Sequence, residues 1–126
     1  MINSTRLNVA DIRPGLRTCS LKVRVIQELI RGKLREGGTE ITVAEFLVGD
    51  KSGCIVIRVK NDALKKFQPN AVLELFRAQI EMINECFLRL DVDPPCEVHV
   101  LAPEEEVVVN MEKNVSEVEW QYVPEL

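Results

Sequence analysis

Aromatic side chains are scarce in this chain: 5% of 126 residues, made up of four Phe, one Trp and one Tyr. Trp120 and Tyr122 both fall near the C-terminal end, so a broad aromatic platform is largely missing from the body of the chain. Histidine occurs once, at His99, and the four cysteines at 19, 54, 86 and 96 form no Cys-x-x-Cys pair. A structural zinc site draws on short paired spacings, so no metal is expected. In a reducing compartment such cysteines behave as small buried hydrophobes rather than as a disulfide set. No apolar run reaches the ~18–20 residues that a membrane span needs. The opening Met1-Ile2-Asn3-Ser4-Thr5-Arg6 lacks the apolar stretch of a signal peptide. The expectation is an intracellular protein, nuclear or cytoplasmic, without a membrane partner. Catalytic signatures are also lacking. His99 has no acid or thiol partner at a suggestive spacing, and Asp91 and Asp93 read as a plain strand exit before Pro94-Pro95. Gly49-x-x-x-Gly53 is not followed by Gly-Lys-Ser/Thr, so it is no phosphate-cradling loop. Neither an enzyme nor a cofactor is expected.

What is present suits one small domain. Hydrophobic residues make up 46% of the chain and charged residues 29%, enough for a core and a solvated surface. The net charge of −4 hides an asymmetry: residues 1–102 carry 15 basic and 13 acidic side chains, while residues 103–126 carry one Lys and seven Glu. A pI near 5.1 argues against tight, indiscriminate binding to a polyanion but leaves room for a local basic strip.

Period-two alternation dominates the body. Leu21-Lys22-Val23-Arg24-Val25 places Lys22 and Arg24 opposite a buried face. Residues 31–39, with three glycines and Arg31, Lys33 and Arg35, read as a loop. Strands are predicted over 40–48 and 54–60, joined by the turn Gly49-Asp50-Lys51-Ser52-Gly53, in which Ser52 and Gly53 need no role beyond turning. In the second of these strands Val56, Arg58 and Lys60 share one side. Asn61 and Asp62 are candidate caps for a short helix through Phe67. Residues 71–82 and 86–91 read as a fourth and a fifth strand about a turn at Asn84-Glu85, with 97–101 as a last extended piece. The alternative for 71–90 is one long helix, since Leu, Glu, Gln and Met favour helices. Period two in Val72/Glu74/Phe76 and Leu88/Leu90 favours strands. The tally is five or six strands with a short helix between strands three and four, which suggests a small barrel or sandwich, and the place of that helix favours an all-β, five-stranded barrel. A flexible lead over 1–10 precedes a domain over 11–102, and an acidic extension follows over 103–126.

Asp11-Ile12-Arg13-Pro14-Gly15-Leu16-Arg17 and Val48-Gly49-Asp50-Lys51-Ser52-Gly53-Cys54-Ile55 resemble the eukaryotic and archaeal single-stranded DNA-binding proteins of the oligonucleotide/oligosaccharide-binding (OB) fold. That family includes the small DNA-binding subunit of the human SOSS complex and short plant OB proteins. Val115-Ser116-Glu117-Val118-Glu119-Trp120-Gln121-Tyr122-Val123 looks like the plant members. The resemblance implies that a single strand crosses the face of strands two and three, flanked by the loops after strands one and four. Aromatics there stack on bases, and Lys and Arg neutralise phosphates. It also implies a place in DNA repair and a large scaffold partner. The chain departs from the pattern at the stacking positions, which fall at Lys60, Gln79, Ile83 and Leu90. Stacking contributes roughly 1–3 kcal/mol per base, so binding here would rest on charge and be weak and salt-sensitive.

The candidate nucleic-acid residues are Lys22, Arg24, Arg31, Lys33, Arg35, Arg58 and Lys60, with Phe46 as the one aromatic near the face. Lys22, Arg24, Arg58 and Lys60 are expected to form a basic stripe across adjacent strands. Arg77 and Arg89 are expected to pair with nearby carboxylates such as Glu74, Glu81 and Asp91. Trp120 and Tyr122 either pack back on the barrel or anchor a protein partner. The leading expectation is a non-catalytic module binding single-stranded nucleic acid, DNA before RNA, inside a complex. The rival is a protein-interaction OB subunit with little nucleic-acid binding.

Overall fold

The computed structural model describes residues 6 to 121 together with Val123. Six strands form one sheet: β1 (Thr18–Glu36), β2 (Thr39–Asp50), β3 (Gly53–Lys60), β4 (Val72–Ile83), β5 (Phe87–Val92) and β6 (Glu97–Val100). The order is β1-β2-β3-β5-β4-β6, and a second pairing of β1 with β4 closes the first five strands into a barrel. Residues 71–90 are therefore two strands and not a helix.

Closure depends on β1 serving two partners. Thr18 to Arg24 pair with β4, and Arg24 to Glu36 pair with β2. Register shifts between Val25 and Gln27 and between Glu28 and Ile30 mark bulges, which coil the strand enough to change neighbours. Alternation then sends Leu21, Val23 and Val25 inward to meet Ala44, Phe46 and Val48 of β2 and Ile55, Ile57 and Val59 of β3. Leu73, Leu75, Leu88 and Leu90 complete the wall, each fully buried. Each such side chain contributes about 1.5–3 kcal/mol by leaving water.

The expected loop over 31–39 is instead the outer half of a hairpin. Gly37 and Gly38 both adopt positive φ, 59° and 81°. A two-residue turn of that kind matches strand twist, so the pairing runs to Glu36↔Thr39. Arg31, Lys33 and Arg35 therefore stand on a strand and not on a loop. The expected helix also differs: Asn61–Lys66 form a 3-10 turn, and Asn61 does not cap it. Its side-chain Oδ1 accepts the Thr42 N–H at 3.1 Å instead.

The C-terminal segment is part of the barrel wall. β3 and β5 pair in parallel only from Ile57↔Leu90 to Val59↔Val92, which leaves the first half of β3 without a neighbour on that side. The segment fills the gap. Cys54 N–H donates to the Lys113 carbonyl at 2.8 Å, Val56 N–H to Ser116 Oγ at 2.9 Å, and Trp120 N–H to the Cys86 carbonyl at 2.8 Å. Val115 enters the core, and Trp120 packs against it.

The turn of β2 and β3 makes room for this segment. A Cβ at Gly53 would lie 2.8 Å from the Lys113 carbonyl oxygen, and one at Gly49 would lie 2.7 Å from Val109 Cγ1. Gly53 therefore has a second role besides turning the chain. Gly53→Ala should lower stability by about 1–3 kcal/mol, the cost of forcing a methyl into a packed contact. Trp120, the only Trp, should report it as a red-shifted native fluorescence when the segment lifts. Gly32→Ala, where a Cβ meets nothing within 4 Å, is the control and should stay within about 0.5 kcal/mol of the parent. Thermal unfolding followed by fluorescence checks both.

Candidate nucleic-acid interface

The outer face of β2, β3 and β5 carries the side chains that alternate away from the core. Register aligns Glu45 with Arg58 and Arg58 with Asp91, and aligns Asp91 with Gln79 on β4. Across this row lies an ion network. Arg89 donates from Nη1 to Glu45 at 3.0 Å and from Nη2 to Glu81 at 2.8 Å. Of the expected partners of Arg89, Glu81 is met, while Glu45 comes from a strand more than forty positions away. Arg77 pairs with Glu97 at 3.6 Å instead of with the carboxylates expected for it.

Asp91 sits at the centre of the face and is 2% exposed. Burial, then the hydrogen bond and negative charge of Glu81, push its carboxyl up to about 7. Burial pushes Glu81 up too, but hydrogen bonds from Asp91 and Arg89 outweigh this and hold it below the ordinary value. The pair thus shares a proton in mild acid, Asp91 donating and Glu81 accepting. Among the described residues, Asp91 Oδ1 and Arg58 Nε are buried without hydrogen-bond partners, side by side in the β3–β5 ladder. Nothing in the sequence spacing of Glu81 and Asp91 announced this pair, because β4 and β5 must fold together before it exists.

The expected basic stripe does not form. β1 pairs with β2 and β4, and β3 with β2 and β5, so Lys22 and Arg24 are separated from Arg58 and Lys60. Lys22 is taken by Glu105 at 2.6 Å. Arg24 donates from Nε to the Val107 carbonyl at 2.8 Å and from Nη1 to the Asn70 carbonyl at 3.0 Å. Both are tied to the C-terminal segment, away from the outer face. Phe46 is also corrected. It is 2% exposed and stacks on Phe67 inside the barrel, with centroids 5.2 Å apart, so no base can reach it. Lys60 remains on the face, near Asp93 at 3.5 Å and Glu36 at 3.9 Å. It borders an open groove of about 760 Å3 that Glu36, Ile41, Asn61, Asp93 and Pro94 also line.

Arg31, Lys33 and Arg35 project from one side of the β1–β2 ribbon, and all three are exposed. Of the stacking positions, Gln79 lies beside Asp91 on the face, whereas Leu90 points into the core. Trp120 packs against its own barrel, with its buried Nε1 unpartnered among the described residues. Tyr122 lies outside the described residues. Cys19 and Cys54 are buried as expected, while Cys86 and Cys96 are half-buried, and all four are free. Among the described residues no group of His, Cys, Asp or Glu is placed to hold a metal ion, and no helix is long and apolar enough to cross a membrane.

A closed five-stranded barrel, β1 shared between β2 and β4, with a helical turn between β3 and β4, is the OB class of nucleic-acid-binding domain. More narrowly, the chain belongs to the family of Ssb-like single-stranded DNA-binding proteins with an OB fold, whose model matches residues 12–100. A curated Arabidopsis thaliana relative, described as uncharacterized, is 28% identical over 97 residues. That match takes in 69% of this chain and 63% of the relative's length. A hypothetical Arabidopsis thaliana protein solved in solution superposes with a TM-score of 0.79 at 25% identity, over 99% of this chain and 92% of that one. A replication protein A heterotrimer bound to single-stranded DNA superposes at 0.65 and 18% identity, over 82% of this chain and 26% of that one. The replication factor A related protein of Methanobacterium thermoautotrophicum gives 0.65 at 20% identity, over 81% and 96%. These last two establish the shared fold.

The proton shared by Asp91 and Glu81 has a thermodynamic consequence. Asp91 has its folded value raised, so its stabilising share is complete below its ordinary value of about 4 and is lost as pH rises through about 7. Glu81, with its value lowered, acts oppositely and only in stronger acid. Between about pH 5 and pH 8 the Asp91 contribution dominates the slope. Asp91→Asn keeps a donor for Glu81 without a titrating charge. The variant should show a flatter urea midpoint across that range and a higher midpoint than the parent at the alkaline end.

Proposed function

We propose that this chain is a non-catalytic module that binds single-stranded nucleic acid, DNA in preference to RNA, by charge more than by stacking. The observation that carries this reading is the position of Arg31, Lys33 and Arg35. They line up on one side of an exposed ribbon that runs out from the barrel, in a chain of the Ssb-like single-stranded DNA-binding family. Arg58 and Lys60 of β3, on the outer face with Glu45 and Val43, would offer further phosphate contacts there. Lys22 and Arg24 drop out of the path, since the C-terminal segment holds them.

The network of Arg89, Glu45 and Glu81 consumes the charge at the centre of the face, and the stacking positions hold Lys60, Gln79 and Ile83. A strand would therefore gain mainly from counterion release, which makes binding weak and steeply dependent on salt. Such a module suits work inside an intracellular assembly, nuclear or cytoplasmic, where neighbouring domains add affinity. DNA repair is one setting that fits.

The test is anisotropy of labelled deoxy and ribo strands of about 30 nucleotides at about 50 and 200 mM salt. The parent should bind at low salt and weaken with a log–log slope of about 0.7 per phosphate contact. Changing Arg31, Lys33 and Arg35 together to Glu should weaken binding at least ~10-fold and cut the slope by about 2 units. Lys22→Glu should leave it unchanged. Absence of binding at low salt, or equal loss in Lys22→Glu, would refute the reading.

A further inference from the structure

The ribbon of β1 and β2 has one side that no strand covers among the described residues. β1 meets β4 only from Thr18 to Arg24. From Gln27 to Glu36 it meets β2 on one edge, and no strand among the described residues meets the other edge. All ten of these residues are exposed, among them Leu29 (45%), Ile30 (63%) and Leu34 (51%). A long open edge bearing apolar side chains is a template for a further strand.

The direction of the backbone groups can be assigned. Thr42 N–H points at Asn61 Oδ1, away from its register partner Lys33. Lys33 and Thr42 are thus a non-hydrogen-bonded pair of the antiparallel ladder, as are Arg31/Ala44 and Arg35/Glu40 by alternation. The N–H and C=O groups of Arg31, Lys33 and Arg35 therefore face outward, as three donor–acceptor sets. Nucleic acid can meet the three cations but has no ladder to offer these backbone groups. An extended polypeptide has one.

The side chains specify which polypeptide. Arg31, Lys33 and Arg35 share one face of the ribbon, whereas Ile30 and Leu34, with Ile41 opposite Leu34, share the other. A strand added here places its residues opposite them, face to face. Acidic residues match the cationic face, and small apolar residues match the gaps at Gly32 and beside Leu34. A second copy of this chain is a poor occupant. Antiparallel pairing of β1 with itself sets Arg31, Lys33 and Arg35 among their own like charges, which is destabilising. The present ion pairs, Arg31 with Glu28 at 2.7 Å and Lys33 with Glu40 at 3.4 Å, are exposed and readily exchanged. Arg35 has no ion-pair partner among the described residues.

We propose that the open edge of β1 over residues 31–35 is a docking site for an extended peptide of alternating acidic and apolar residues, added as a third strand of the ribbon. The peptide would occupy the same cations as a nucleic-acid strand, so the two ligands would compete. The site stands independently of the nucleic-acid reading.

The probe is a labelled peptide with the core Glu-Val-Glu-Val-Glu, titrated against the full chain by anisotropy. Three comparisons decide the matter. A Lys-Val-Lys-Val-Lys core should bind at least ~10-fold more weakly, as should the acidic core N-methylated at its ladder positions, since one or two lost hydrogen bonds are of that size. Lys33→Pro should weaken binding as much as N-methylation does. Its N–H is not used within the ribbon, so the hairpin and the thermal midpoint should persist. Lys33→Gln, which removes charge but keeps the N–H, should lose only a few-fold. Failure of the acidic peptide to bind overturns the proposal. So does equal binding of the N-methylated peptide, which would mean charge without strand addition. So does a dimer of the free chain in sedimentation that Lys33→Pro dissolves, which would mean a second copy holds the edge. None of these readouts uses nucleic acid, so loss of strand binding and loss of peptide binding are separable.

Discussion

The structure hinges on a close approach of backbones at the turn between β2 and β3. Gly49 and Gly53 carry no side chain where Val109 and Lys113 pass, and any Cβ there would collide. Between them Asp50 is buried, and its carboxylate accepts the N–H groups of Val9 at 3.0 Å and Ser52 at 2.8 Å. Its carbonyl accepts Asn110 N–H at 2.9 Å, and Ser52 Oγ accepts Ala10 N–H at 2.9 Å. Five residues thus hold residues 9–10 and 109–113 together. The buried carboxylate is tolerable because two backbone N–H groups and the Ser52 hydroxyl, at 2.5 Å, all donate to it.

That anchoring completes the barrel. A parallel pairing of three residues between β3 and β5 would leave the N–H groups of Cys54 and Val56 unmet, and buried donors without acceptors are costly. The Lys113 carbonyl and Ser116 Oγ supply the acceptors, and Val115 supplies the apolar plug. The acidic extension is therefore wall in its second half. In its first half Glu105 and the Val107 carbonyl take up Lys22 and Arg24. The same segment that seals the core removes two cations from the surface.

Charge is divided accordingly. On the outer face Arg89 is fixed by two carboxylates and Asp91 is kept protonated by burial up to near neutrality, so the centre of the face is rigid and close to balanced. The ribbon carries three exposed cations, Arg31, Lys33 and Arg35, beside Glu28, Glu36 and Glu40. There few side chains pack and one edge is open, features of a segment of low local stability. Binding surfaces are commonly drawn from such segments, since ordering them on contact is where selectivity enters.

Local pattern and tertiary placement divide cleanly in this chain. Period two in 21–25, 54–60 and 72–76 determined which side chains are core, because alternation is a property of the strand alone. Gly37-Gly38 with the alternation Arg31-Gly32-Lys33-Leu34-Arg35 also held the hairpin, although three glycines among basic residues read equally as a loop. Phe46 was misjudged although alternation assigns it inward with Ala44 and Val48, which are buried beside it. What no local pattern contains is neighbourhood. Whether Lys22 lies beside Arg58, whether Glu81 shares a proton with Asp91, and whether Trp120 meets a partner or its own barrel all depend on strand order and on the path of the last residues. The sequence determined an all-β barrel with a basic, alternating ribbon. Only the tertiary structure decided which of its charges are spent on one another and which stay free, because pairing energies act across contacts that the folded chain alone creates.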